Sequence, residues 1–252
     1  MIIIDGAKGE GGGAIIRIAL SLSVLTQKPF KIINIRANRK NPGLREQHLQ
    51  AVRAIKKLCN AEVKGDELHS KELTFIPNKI TKTKLSINVR TAGSTGLILQ
   101  TLFLACINNN LMVRIEGGGS WNLHAPSIAY LQEVFLPLLK LNSKIKILKN
   151  GFYPQGGAVI EASIKKSNLS EINFIEQGRL QEINVFSIAS EFLKKAKVAE
   201  RQEMACINLI GKKYAEIKIN KKVDYVNSTC AGSGILCLAK FKISSKLGAL
   251  IS

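Results

Sequence analysis

The sequence predicts an α+β protein, an α/β sandwich assembled from repeated β-α-β-α-β-β units and followed by a small α/β domain. Strand-like and helix-like apolar runs alternate in the same order twice. Small-residue loops stand at matching strand–helix junctions. The spacing is also steady: Gly13 to Gly96 and Arg17 to Gln100 are each 83 residues apart, and Pro42 to Pro126 is 84.

Met1 to Asp5 reads as a buried strand, Gly6 to Gly13 as a glycine loop, and Ala14 to about Leu25 as an apolar helix. A strand is expected over Phe30 to Arg36. A second helix is expected from Asn41 to about Cys59, with Asn41 as N-cap and Pro42 at its first position. Short strands near 61–65 and 72–76 close the unit. The second unit repeats this: a strand over Leu85 to Arg90, a small-residue loop over Thr91 to Gly96, and a helix from Leu97 to about Asn108. A strand over Leu111 to Glu116, a helix starting at Ala125-Pro126, and strands over Lys144 to Leu148 and Ala158 to Ile164 complete it. Ile172 to Glu176 reads as the first strand of a third unit, broken by Gly178. Beyond it come a strand near 182–187, a charged helix over about 190–211, and strands near 214–219, 234–240 and 241–244. The expected organisation is therefore two complete repeats and the start of a third in 1–178, and a small inserted domain in 179–252, with the rest of the third repeat absent.

Composition narrows the function. The chain of 252 residues is 46% hydrophobic and 22% charged, which suits a globular protein rather than a disordered one. The apolar run from Gly96 to Ile107 is too short for a membrane span, and no signal peptide is expected. Five cysteines without a C-x-x-C argue against a disulfide framework or a cysteine zinc site, and point to a reducing cytoplasm. The formal net charge of +19 suggests a polyanionic partner such as RNA or a nucleotide. A surplus of Lys, Ile and Asn is also what an A/T-rich genome yields. Arginine discriminates better, because it fits phosphate geometry. Five of the nine arginines lie in the first 53 residues.

The loop from Asp5 to Gly13 joins a strand to a helix N-terminus, a natural place for an anion. It lacks the Gly-Lys-Ser/Thr of a Walker A motif. Gly9-x-Gly11-x-x-Ala14 fits a loose dinucleotide fingerprint, but Arg36 stands where the acidic residue belongs. Glu10 reads as a ligand for Mg2+ or Mn2+ beside phosphates, or else as an exposed carboxylate or a partner of Arg17. Arg17, on an apolar helix, is either a phosphate clamp or half of an internal ion pair. Gln100 holds the matching position in the second unit. Arg36, Arg39 and Arg45 form a basic strand–helix junction suited to an RNA end or a triphosphate. Periodicity puts His48 in the core. Gln47 points towards the loop, His69 falls in an exposed turn and His124 precedes a helix start.

Taken together, Asp5 to Gly13, Ile35 to Arg39, Asn41 to Leu44, Gln47 to Leu49, Thr91 to Ser94 with Gln100-Thr101, and Gly151 to Pro154 resemble the RNA 3'-terminal phosphate cyclase family. The resemblance covers residues 1 to about 178 well and the remainder loosely. It implies repeats like the C-terminal domain of a bacterial initiation factor, with a small domain inserted in the third. It also implies a ligase that uses ATP to convert an RNA 3'-phosphate into a 2',3'-cyclic phosphate. A histidine is adenylylated, the AMP passes to the RNA phosphate, and the neighbouring 2'-OH closes the ring with release of AMP.

By motif position, Glu10 resembles the carboxylate near metal and triphosphate. Gln100 and Pro126 resemble nucleotide-pocket residues. Arg17, Arg36, Arg39, Gln47 and His48 resemble the wall that meets phosphates and the RNA end. The family's nucleophilic histidine corresponds to a position beyond Ser252. The resemblance therefore implies no catalytic residue in this chain, which reads as truncated, with impaired activity. An oligomer or a complementing C-terminal polypeptide is a further expectation. The alternative is a non-catalytic, cyclase-like RNA-binding protein of ribosome assembly or RNA processing.

Overall fold

In the computed structural model, residues 1–172 and 177–242 are described, together with the backbone of 247–250. Three four-stranded mixed sheets organise them. The first unit runs β1 (Ile2–Asp5), α1 (Ala14–Thr26), β2 (Phe30–Ile33), α2 (Glu46–Cys59), β3 (Glu62–Lys64) and β4 (Leu73–Ile76). Its sheet order is β1-β2-β4-β3, with β1 and β2 parallel and the others antiparallel. The second unit runs β5 (Lys84–Ser94), α3 (Thr95–Ala105), β6 (Leu111–Gly119), a helical stretch, β7 (Lys144–Lys149) and β8 (Val159–Ile164). Its order, β5-β6-β8-β7, has the same directions at the same places.

The first two sheets each present one face to a shared core. In β5, Leu85, Ile87 and Val89 are buried while the residues between them are exposed, the two-residue period of a half-buried strand. Helices α1, α2 and α3 fill the space in between. Leu49, Val52, Ile55 and Leu58 of α2 point inward at helical spacing. Ser21 of α1 donates to the Thr101 carbonyl of α3 at 3.0 Å, which ties the two units together. Left-handed residues end the first two helices, Gln27 after α1 and Asn60 after α2.

Several boundaries differ from those the sequence predicts. Helix α2 begins at Glu46, not Asn41. Gly43 has φ +77°, which no helix accepts, and its N–H donates to Ile35 while Leu44 N donates to Ser70. Strand β2 stops at Ile33, because Asn34 and Arg36 turn into the left-handed region. Strand β5 runs on through an irregularity to Ser94, whose hydroxyl caps α3. The last helical stretch of the second unit starts at Ile128 behind a Ser127 cap, as α4 (Ile128–Tyr130), a π turn (Leu131–Phe135) and α5 (Leu136–Leu138). Pro137 has no N–H, and the wider turn precedes it.

The third sheet holds β9 (Arg179–Ser190), β10 (Lys218–Val226), β11 (Ser233–Lys242) and β12 (Leu247–Leu250), in the order β10-β9-β11-β12. Helix α6 (Val198–Gly211) covers one face of it. This helix starts later than position 190 because β9 continues to Ser190. Residues 173–176 of the expected third-unit strand, and 243–244 of the last expected strand, lie outside the described residues. The third sheet rests on the second unit. Leu236, Leu238 and Phe186 meet Val134, Tyr130 and Trp121. Asn150 N donates to Asn227 O at 3.0 Å, and Thr229 Oγ1 to Gly156 O at 2.6 Å. Gly232 lies against the Phe152 side chain and Gly234 against the Trp121 ring, so closely that any Cβ there would overlap them.

Candidate functional site

The glycine loop leaves β1 against its neighbour strand. Gly6 N donates to Ile33 O at 2.8 Å, and a Cβ on Gly6 would stand 2.9 Å from that oxygen. Gly9 and Gly11 turn the chain with φ of +62° and +58°. Gly13 caps α1 with no side-chain acceptor, and the first turn carries no acidic residue. The free N–H groups there, with the helix dipole, favour an anion.

A second loop is laced to the first. Arg36, with φ +55°, donates from Nη1 to the carbonyls of Asn41 at 2.6 Å and Gly43 at 3.1 Å. Asn38 donates to Ala7 O at 2.9 Å, and Arg39 pairs with Glu10 at 2.6 Å. This pair is solvent-exposed, with the Glu10 side chain 87% accessible, so it is weak and readily exchanged.

Between the loops lies a cleft of about 610 Å³. Arg17 enters it half-buried from the first turns of α1, and no carboxylate among the described residues pairs with it. Burial alone lowers its pKa. Arg36 is also lowered, by burial first and then by the like charges of Arg45 and Arg39. His48 is only 3% exposed, and its pKa falls to about 3 through burial and then Arg36, Arg17 and Arg45. Its Nδ1 accepts from Arg45 N at 3.2 Å, so the neutral ring carries its proton on Nε2. That edge stands 3.4 Å from Gln47 Nε2, itself a donor, so in this tautomer the two do not bond to each other, and it lies against Gly13.

Glu10, Arg17, Arg36, Arg39, Gln47 and His48 all line this cleft. Gln100 and Pro126 do not. Gln100 lies half-buried on α3, and the Pro126 carbonyl abuts Gly96 at the start of that helix. Glu10 pairs with Arg39 rather than Arg17, which settles one of the alternatives above. The His48 ring is buried, as its periodicity predicts, and it also borders the cleft. Sequence reasoning missed Leu97 and His124 as lining residues. The Ser127 hydroxyl, not His124, caps the following helix. The only sequence signal for His124 was its place in a loop after a glycine run.

Among the described residues, no three His, Cys, Asp or Glu side chains converge on a metal position. Among the described residues Glu10 is the one carboxylate lining the cleft, so they fit a hard cation only where phosphate oxygens complete the shell. No helix among the described residues is long and apolar enough to cross a membrane.

Comparison with known proteins finds relatives that share one name. The family model described as RNA 3'-terminal phosphate cyclase matches residues 8–243. A protein of that name from Saccharolobus solfataricus is 44% identical over 253 residues, covering 99% of this chain and 74% of its own length. One from Sulfurisphaera tokodaii is 42% identical, covering 96% of this chain and 72% of its own length. Another from Pyrococcus furiosus is 40% identical, covering 95% and 70%. With nearly its whole length matched to relatives of one name, the chain belongs to the RNA 3'-terminal phosphate cyclase family.

Proposed function

We propose that the cleft binds the 3'-phosphate end of an RNA, and that the protein acts in ATP-dependent conversion of that phosphate into a 2',3'-cyclic phosphate. The observation that carries this reading is Arg17. It is a half-buried guanidinium without a carboxylate partner among the described residues, beside an uncapped helix N-terminus. A buried cation left unpaired is costly, and a phosphate dianion supplies the missing partner. The first N–H groups of α1 and Arg17 hold non-bridging oxygens. Neutral His48 donates from Nε2. Arg36 braces the Asn41–Gly43 loop and adds positive potential. Arg39 exchanges Glu10 for the incoming polyanion, which frees Glu10 for Mg2+ or Mn2+ at the phosphates. When bound, ATP supplies the adenylyl group that converts a phosphate oxygen into a leaving group. Gln100 and Pro126 serve the nucleotide, on the α3 side. Fixed positive groups around the phosphate then favour attack by the neighbouring 2'-OH.

The finer organisation belongs to the same proposal. Residues 1–178 hold two repeats of the initiation-factor C-terminal-domain type and the start of a third, and 179–252 an inserted small domain. The exposed Ile18 and Leu22 of α1, 52% and 53% accessible, support a covering partner, either a second copy or a complementing C-terminal polypeptide. The free thiols, with Cys59 and Cys106 buried, suit the cytoplasm. None of His48, His69 and His124 is assigned as the nucleophile.

The test has two arms. Oligoribonucleotides with and without a 3'-phosphate are titrated against the folded protein, and the chain is incubated with α-labelled ATP and Mg2+ or Mn2+. We expect a 3'-phosphate preference that requires Arg17, and no covalent AMP on this chain alone. A stable AMP adduct overturns the nucleophile assignment. Equal affinity for both RNA ends overturns the binding assignment. RNA binding with no response to ATP in any complemented assembly favours the non-catalytic RNA-binding relative.

A further inference from the structure

A second cleft, of about 720 Å³, lies on the far side of the α2 N-terminal turn. The two clefts share that turn as a partition. Gln47 and His48 border the first; Glu46, Leu49, Gln50 and Arg53 border the second. The end of β5 closes the seam, since a Cβ on Gly93 would meet the Gln47 Cβ at 3.5 Å. From β5 the second cleft receives Asn88, Arg90 and Thr91, all exposed. Its two arginines, Arg53 and Arg90, are exposed and form no ion pair among the described residues, although Glu46 and Glu67 line the same cleft. Glu46 is instead engaged by Gln50, which donates to it at 2.7 Å. Leu68 stands 49% exposed on the rim.

We propose that this second cleft carries the nucleotides preceding the RNA 3' end, with Arg53 and Arg90 on backbone phosphates and Leu68 against a base. The inference rests on the first cleft being the 3'-phosphate site. A chain anchored there must leave past the α2 turn or into solvent. Two unpaired arginines, flanked by the amide, hydroxyl and apolar groups of Gln50, Asn88, Thr91 and Leu68, make a surface suited to single-stranded RNA. Such strands are held by cations on the backbone and by apolar contact with unstacked bases.

The experiment compares a short 3'-phosphorylated oligoribonucleotide with a nucleoside 3'-monophosphate, using the protein, Arg53→Ser/Arg90→Ser, Arg53→Lys/Arg90→Lys and Arg17→Ala. The serine pair is expected to bind the oligoribonucleotide about tenfold more weakly or worse, and the mononucleotide within about twofold. Its salt slope on the oligoribonucleotide should flatten by about 1.4, the single-strand value for two lost phosphate contacts. The lysine pair should keep the slope. Arg17→Ala should weaken both ligands. An equal loss on both ligands for the serine pair, or an equal loss for the serine and lysine pairs, overturns the second cleft. Unchanged oligoribonucleotide binding by the serine pair, with Arg17→Ala still weakening both ligands, overturns it while the first cleft stands. Unchanged mononucleotide binding by Arg17→Ala overturns the first cleft itself.

Discussion

The two units share sheet order, strand directions and helix placement, yet they start their first helices differently. In the second unit, Ser94 Oγ accepts from Leu97 N at 3.3 Å and closes the N-terminus of α3 from within. In the first unit, Gly13 stands at the cap position with no acceptor, so α1 keeps its first N–H groups for something else. Arg17 lines the cleft, while Gln100, at the matching place in the repeat, stays outside it. The repeated architecture supplies a scaffold. In the reading proposed above, the 3'-phosphate falls to the copy whose first helix is left without a side-chain cap.

The sharpest way to break this contrast is a methyl group at each helix start. In Gly13→Ala the new Cβ overlaps the His48 ring, a side chain that can move. We expect retained folding and about a hundredfold loss of 3'-phosphate affinity by titration calorimetry. In Gly96→Ala the Cβ meets the Pro126 carbonyl, which is backbone. Stability should then fall by about 1–3 kcal/mol, lowering the melting temperature by roughly 3–10 °C, with 3'-phosphate affinity kept. The opposite assignment of losses would dissolve the comparison.

Arg17→Ala should weaken 3'-phosphate binding by roughly ten- to a hundredfold, the range of a charged hydrogen bond. Gln100→Ala should act mainly on ATP affinity. Paired titrations with the two ligands separate the effects. Acid sharpens the contrast further. The His48 pKa lies near 3 in the folded chain and near 6.5 when unfolded. Between these values the unfolded state binds the extra proton, so stability falls as pH drops from about 6.5 towards 3. The slope is at most about 1.4 kcal/mol per pH unit. Urea unfolding at several pH values should show it, and His48→Phe should flatten it. A bound phosphate opposes the three arginines, so the slope should shrink with 3'-phosphate ligand present. The smallest effect belongs to Ser94→Ala, which removes one cap for about 1 kcal/mol with no change in 3'-phosphate affinity.

Much of this arrangement was legible in the sequence, because apolar alternation and glycine placement are local signals, but β1, expected to be buried, is an exposed edge strand with Ile3 70% accessible. Both units could be ordered from apolar runs; Glu10, Arg17, Arg36 and Arg39 stood out by residue type and place, whereas Gln47 and His48 joined them only through the family resemblance. The start of α2 was misplaced because Asn41-Pro42 imitates a helix opening. What overrides it is the long-range pairing of Gly43 with Ile35 and of Leu44 with Ser70. His48 shows the limit of periodicity, which reports burial but not that a buried ring has one edge on a cleft. The Arg39–Glu10 pair and the second cleft depend on segments far apart in the chain, and no local pattern announces them.

The glycine-on-ring contacts between the second unit and the third sheet bear on movement. At Gly232 and Gly234 the Phe152 and Trp121 side chains occupy the space where a Cβ would stand, close against bare backbone. At such a joint the glycines offer no side chain to turn aside, so any opening must move the Phe152 and Trp121 rings or the backbone itself. The third sheet should therefore travel with the second unit as one body. Any rearrangement during turnover would then be carried by the loops around the first cleft, where the exposed Arg39–Glu10 pair can part and re-form at little cost.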